Sequence, residues 1–97
     1  WVAVHNAGGF PSPGAVARGA PALEGPWSEP WTAIPFDRAA AGTSESGVFC
    51  YAAKEHPQFG GQGRELVLTY ACNAFDEGIL TKEMAIYHPR ARRITLP

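Results

Sequence analysis

Residues 47–73 place two runs rich in β-branched and aromatic residues on either side of a loop that contains three glycines and one proline. Glycine supplies the positive-φ positions that a chain reversal needs, and Pro57 in the loop cannot lie in a central strand. The pattern therefore predicts an antiparallel hairpin with a long loop, and the rest of the fold must accommodate this hairpin.

The two cysteines lie at equal distances from the middle of that loop. A hairpin folded about Gly61 places Cys50 opposite Cys72. Facing Cβ atoms of an antiparallel pair are about 4.5–5.5 Å apart, within reach of a disulfide after modest adjustment. The spacing favours a disulfide and a secreted protein, with two buried free thiols as the alternative.

The same register makes two further pairings testable. Ala52 is expected to face Tyr70, and Lys54 is expected to face Leu68, because each pair is also symmetric about the middle of the loop.

Composition indicates one small folded unit built from short strands. The chain has 97 residues, of which 45% are hydrophobic and 18% charged, and this balance argues against disorder. Eleven glycines and nine prolines break the chain into short pieces. We therefore predict an all-β antiparallel meander over residues 1–97.

Charge and hydropathy argue against two classes of partner. A formal net charge of −1 gives no electrostatic reason to expect nucleic acid or an anionic membrane surface. No apolar run approaches the length of a transmembrane helix.

The predicted elements are short and separated by turns. Residues 38–41 are expected to form one helical turn, and residues 1–6 a strand buried on both faces. Because such a strand resembles the middle of a sheet, the chain is expected to be a fragment, a cleaved subunit or the ordered part of a longer protein. Besides the hairpin, strands are predicted at residues 1–6, 15–18, 31–36, 79–87 and 94–96.

The residues that most often carry chemistry form no compact motif. His5, His56 and His88 are too far apart for the close pairs of zinc sites, so neither a metal nor another cofactor is expected. His56 and His88 precede proline, which favours a role in loop capping through ring-to-backbone hydrogen bonds. None of the nine acidic residues can be assigned as catalytic from the sequence alone.

The aromatic residues offer platforms on which the C–H face of a sugar ring could stack, with core and edge packing as the alternative role. The residues considered are Trp1, Trp27, Trp31, Tyr51, Tyr70 and Tyr87.

The segment Gly25-Pro26-Trp27-Ser28-Glu29-Pro30 resembles a turn in five-bladed β-propellers of secreted carbohydrate-active proteins. Residues 51–57, 66–73 and 87–90 are similar to the closing blade of a propeller family that includes microbial endo-D-arabinanases. This resemblance covers nearly the whole chain but only one to two blades of a propeller. It implies a secreted protein that faces sugars, with catalytic carboxylates that converge from several blades; none of them maps onto this chain.

Three functional hypotheses follow. The first is the C-terminal part of a secreted propeller glycoside hydrolase, in which His56 or Asn73 reaches a polysaccharide. The second is a non-catalytic carbohydrate-binding protein that stacks Trp27 or Trp31 on a glycan. The third is a structural extracellular protein whose open sheet edges pair with another chain or with further copies.

Overall fold

The computed structural model describes residues 1–61 and 63–97 and shows an all-β protein. Two three-stranded antiparallel sheets follow one another in the chain, with strand orders β1-β2-β3 and β4-β5-β6. The predicted antiparallel meander is thus confirmed. In chain order the strands are β1 (Val2–Asn6), β2 (Gly14–Gly19), β3 (Trp31–Pro35), β4 (Val48–Glu55), β5 (Glu65–Ala74) and β6 (Arg90–Thr95).

The predicted hairpin is formed by β4 and β5. Cys50 faces Cys72, their Cα atoms are 4.0 Å apart, and a disulfide joins them. Alternate residues of β5 are buried and half-buried along its whole length, because one face of the sheet covers the core while the other faces outward.

The predicted register is correct at the disulfide but wrong beyond it. Tyr51 faces Ala71, and the pairing then shifts so that Lys54 faces Thr69 instead of Leu68. Ala52, which we expected to face Tyr70, lies in the shift with a φ of 56°. An extra residue in one strand of an antiparallel pair, a β-bulge, accounts for the displacement.

The left-handed backbone of Ala52 leads to a testable prediction about stability. A non-glycine residue in the left-handed region costs about 1–2 kcal/mol. We expect Ala52→Val to lower the free energy of unfolding by more than about 1 kcal/mol, because β-branched residues tolerate this region worst. Ala52→Gly is expected to raise it by up to about 1 kcal/mol, since the relief exceeds the added chain entropy.

Urea denaturation measures both changes. Ala71→Val is the matched control, because Ala71 lies in a regular strand and faces Tyr51 across the hairpin. This control is expected to change stability by less than about 0.5 kcal/mol. Equal losses for valine at positions 52 and 71 would contradict backbone strain at the bulge.

The strand predicted at residues 79–87 is wrong. This segment forms the helix α2 (Glu77–Lys82), followed by a 3₁₀ helix (Met84–Tyr87). The Asp76 side chain accepts a hydrogen bond from the Gly78 N–H and caps α2, while Ile86 is buried against the sheet. The last strand is accordingly β6, which begins well before the predicted residues 94–96.

The first sheet follows the sequence prediction more closely. The helical turn α1 (Arg38–Ala41) forms as expected, and the Asp37 side chain caps it by accepting the Ala40 N–H at 2.9 Å. The strands predicted at residues 15–18 and 31–36 correspond to β2 and β3. The expectation that residues 1–6 are buried on both faces is wrong: Val2 is 45% exposed, since β1 is an edge of its sheet.

The two sheets pack face to face around one core. Asn6 links them, because its Oδ1 accepts the Ala53 N–H at 3.2 Å. The core residues come from both sheets and from the helical segments: Ala15, Ile34, Ala40, Ala41, Cys50, Leu66, Leu68, Tyr70, Cys72 and Ile86.

Contacts at the two ends of the molecule show how the sheets are oriented. At one end Phe10, just beyond β1, contacts Phe49 near the start of β4. At the other end Val2, at the start of β1, shares a cavity with Leu96, beyond the end of β6. Because β4 and β6 run the same way within their sheet, β1 and β4 run in opposite directions.

Candidate functional site

The segment between β5 and β6 carries an open groove of about 510 Å³. We call it the insert groove; its lining residues are Glu77, Leu80, Thr81, Met84 and Tyr87. Its volume lies within the range of about 300–1,000 Å³ that is typical of small-molecule sites. Met84 is 69% exposed and Tyr87 58% exposed, so both side chains are accessible to a ligand.

Helical periodicity explains why these side chains share one side. Residues three and four apart in an α-helix are neighbours, which aligns Leu80 and Thr81 with Glu77. The Thr81 hydroxyl donates a hydrogen bond to the Glu77 carbonyl at 2.9 Å. In the following 3₁₀ helix, residues three apart eclipse each other, which aligns Met84 with Tyr87.

Contacts with the loop before β4 hold the insert groove in place. The Thr43 hydroxyl donates a hydrogen bond to the Glu83 carboxylate at 2.7 Å, and Lys82 pairs with Glu45 at 2.9 Å. The hydrogen bond that Lys82 donates to the Glu45 carboxylate, together with the negative charge of Glu45, raises the pKa of the exposed Lys82 amino group. The segment between β5 and β6 is therefore held by the loop before β4 at Lys82 and Glu83 and by the core at the buried Ile86.

The aromatic cluster, formed by Phe10, Phe49, Tyr51 and Phe75, lies at the same end of the second sheet. Ring centroids are 4.5 Å apart for Phe49 and Phe75, and 4.9 Å apart for Phe10 and Phe49. Phe10 and Phe75 are each 66% exposed. Since Phe75 directly precedes the residue that caps α2, the cluster and the insert groove are neighbours in the chain.

The structure places both His56 and Asn73 on the outer face of the second sheet. The His56 Nε2 lies 2.7 Å from the Thr69 hydroxyl. The ring therefore bonds a side chain, whereas the sequence predicts a bond to the backbone. Asn73 faces Phe49 across the hairpin, beside the aromatic cluster. Thr69 and Asn73 are four residues apart in β5, about 13 Å, so His56 lies away from that cluster.

The two predicted tryptophans lie at the other end of the molecule and are half-buried. Trp31 lines a cavity of about 200 Å³ together with Arg18 and Leu96. Trp27 packs over Gly25, where an added Cβ would lie 3.2 Å from the indole Cδ1. The structure therefore does not bring either tryptophan together with His56 or Asn73.

Sequence reasoning missed most of the insert groove because it placed residues 79–87 in a strand. Residue type marks Tyr87 as an aromatic candidate but singles out neither Glu77 nor Met84 for ligand binding. The Asp76 cap, two residues before Gly78, is the sequence signal that could have identified the helix.

The groove offers both apolar and polar groups to a ligand. It presents a phenol ring, a hydroxyl and a single carboxylate, that of Glu77, among its described lining residues. Glycoside hydrolysis ordinarily requires two carboxylates. Within residues 1–61 and 63–97, no group of three histidine, cysteine or acidic side chains is placed to hold a metal ion.

No helix in the described part of the chain is long and apolar enough to span a membrane. Comparisons with protein-family models, with curated proteins and with solved structures found no match to the chain.

Proposed function

We propose that the chain is part of a secreted, carbohydrate-active β-propeller and that its insert groove binds a sugar ring of a polysaccharide. The observation that carries the proposal is the exposed Tyr87 ring beside Glu77 and Thr81 in one groove. The C–H face of a sugar stacks on the phenol ring, while the carboxylate and the threonine hydroxyl bond its hydroxyl groups.

The fold supports this architecture with two consecutive meanders packed face to face. Propeller blades repeat around a central axis, so equivalent strands run in the same direction. Because β1 and β4 run in opposite directions, they occupy different positions within their blades. In this hypothesis β1 corresponds to β5, and β2 corresponds to β6.

Secretion is supported by the Cys50–Cys72 disulfide, since disulfides persist mainly in oxidising compartments.

The proposal assigns binding, and not bond cleavage, to this chain. A single carboxylate in the insert groove cannot supply both the acid and the nucleophile or base of a glycosidase. In a glycoside-hydrolase-like propeller the catalytic carboxylates would come from other blades. The same observation favours the second candidate, a non-catalytic carbohydrate-binding protein. Release of reducing ends from a bound polysaccharide by the complete protein distinguishes the two.

Affinity electrophoresis in gels that contain D-arabinan, or an unrelated neutral polysaccharide, tests the binding step. Tyr87→Ala is expected to weaken polysaccharide binding about three- to tenfold, because a sugar loses its aromatic platform. Phe59→Ala is the matched control, since Phe59 is 62% exposed in the β4–β5 loop and far along the chain from the groove.

The control variant is expected to migrate as the unmodified chain does. Equal retardation of the Tyr87→Ala and unmodified chains would contradict the assignment of the groove. Retardation lost instead in Trp27→Ala would transfer binding to the opposite end of the molecule.

A further inference from the structure

Strand β6 forms an open outer edge of the second sheet. The Leu96 N–H donates to the Arg64 carbonyl at 2.8 Å, which fixes the hydrogen-bonding alternation along the strand. Even-numbered residues of β6 therefore bond β5, and odd-numbered residues turn their N–H and C=O groups away from it. Within the described residues no strand pairs with the outward groups of Ala91, Arg93 and Thr95.

The corresponding edge of the first sheet is blocked. The Phe36 N–H donates to the Pro13 carbonyl at 3.0 Å, so Phe36 and Ile34 turn towards β2 and Pro35 turns outward. Proline has no N–H to donate, and natural sheets use it to protect exposed edges. The two outer edges thus differ: proline interrupts the β3 edge, whereas β6 can still form backbone hydrogen bonds with a further strand.

A cavity lies where the side chains of such a strand would enter. It measures about 250 Å³ between β6, β3 and α1, and its walls include Ala33, Ile34, Ala39, Arg92 and Ile94. Arg92 and Ile94 belong to the core-facing side of β6, because they face Leu68 and Leu66 of β5. Alternate side chains of a strand added beyond β6 would therefore point into this cavity. Its volume is below the range of about 300–1,000 Å³ for small-molecule sites, which suits individual side chains better.

The charges along the edge specify the occupant. Arg92 and Arg93 are exposed, and Arg93 pairs with the Glu65 carboxylate. A residue directly opposite Arg93 would exchange both backbone hydrogen bonds with it and would share the outer face, where a carboxylate is favoured. Its neighbours would face the cavity, whose walls are mainly apolar but also include Asp37 and Arg92.

We propose that the β6 edge binds an extended peptide in which acidic and apolar residues alternate, by adding it to the sheet as a fourth strand. Backbone hydrogen bonds supply affinity in this mode, and the pockets for alternate side chains supply specificity. The inference stands independently of carbohydrate binding. The propeller hypothesis adds a second reason, since β2, the counterpart of β6, already carries β3 at this edge and blades typically have four strands.

The test is an NMR titration with the peptide acetyl-Thr-Glu-Val-Glu-Val-Glu-Thr-amide. Binding is expected to protect the amides of Ala91, Arg93 and Thr95 from hydrogen exchange. The control peptide carries N-methyl groups on its three glutamates, the residues that would bond β6, and is expected not to bind.

Substitutions at position 93 separate the backbone contribution from the charge. Arg93→Pro removes an outward N–H while it leaves the bonds to β5 intact, and it is expected to weaken peptide binding about tenfold or more. Arg93→Thr keeps the N–H and removes the charge, and about a threefold loss is expected. Thr95→Pro serves as a second variant near the strand end if Arg93→Pro fails to fold.

Three results would overturn the proposal: equal binding of the N-methylated peptide, unchanged affinity in both proline variants, or no binding of the test peptide. Concentration-dependent dimers that the proline variants dissociate and the peptide does not would instead assign the edge to a second copy. Failure here leaves the polysaccharide proposal standing, because the Tyr87→Ala experiment uses a different surface and a different ligand.

Discussion

Tyr70→Ala is expected to lower the free energy of unfolding by about 3–5 kcal/mol, the usual cost of truncating a large buried aromatic side chain. Tyr70 is 2% exposed at the centre of the core between the two sheets. Its ring lies 5.5 Å from that of Phe36, and its hydroxyl donates to the Ala40 carbonyl at 2.9 Å. The substitution therefore removes contacts that join the second sheet to Phe36, directly after β3, and to α1.

Two further variants separate the contributions to this loss of stability. Tyr70→Phe keeps the ring and deletes the hydrogen bond to Ala40, and about 1 kcal/mol is expected. Tyr51→Ala removes a half-buried tyrosine from the opposite face of the same hairpin, and a smaller loss than that of Tyr70→Ala is expected. Chemical denaturation, monitored by tyrosine and tryptophan fluorescence, measures all three. Similar losses for the two alanine variants would contradict the central position of Tyr70.

The hairpin and its disulfide could be predicted because they depend on local rules. Turn residues around Gly61 locate the reversal, and equal spacing places Cys50 opposite Cys72. The shift beyond Tyr51 could not be predicted in this way. A bulge at Ala52 adds one unpaired residue, and nothing in an alanine marks the backbone as left-handed. Symmetry about the loop therefore predicts the pairing at the disulfide but not the pairing near the turn.

The candidate site was harder to predict because its main segment has mixed periodicity. Ile79, Leu80 and Ile86 satisfy a strand pattern as readily as a helical one, and only the Asp76 cap favours the helix. The functional residues suggested by residue type alone, Trp27 and Trp31, are half-buried at the other end of the molecule. Exposure depends on tertiary packing, which residue type does not specify.

Loss of the Cys50–Cys72 disulfide is expected to lower the free energy of unfolding by about 3 kcal/mol in the chain-entropy model. The bond closes a segment with a sequence separation of 22 residues, so it restricts a sizeable part of the unfolded chain. For a chain of this size the total stability is about 5–15 kcal/mol, of which the cross-link is a large fraction. The comparison is urea denaturation of the native protein with and without a thiol reductant.

Reduction is the sharper test because it changes no side-chain volume apart from the two thiol hydrogens. The double variant Cys50→Ala with Cys72→Ala adds the loss of two buried sulfur atoms, since these cysteines are 1% and 0% exposed. It should therefore be less stable than the reduced protein by roughly a further 1 kcal/mol or more, because it leaves small cavities. Equal stability of the oxidised and reduced proteins would contradict a constraining role. It would also remove the main support for secretion, because a chain that folds equally well without the bond needs no oxidising compartment.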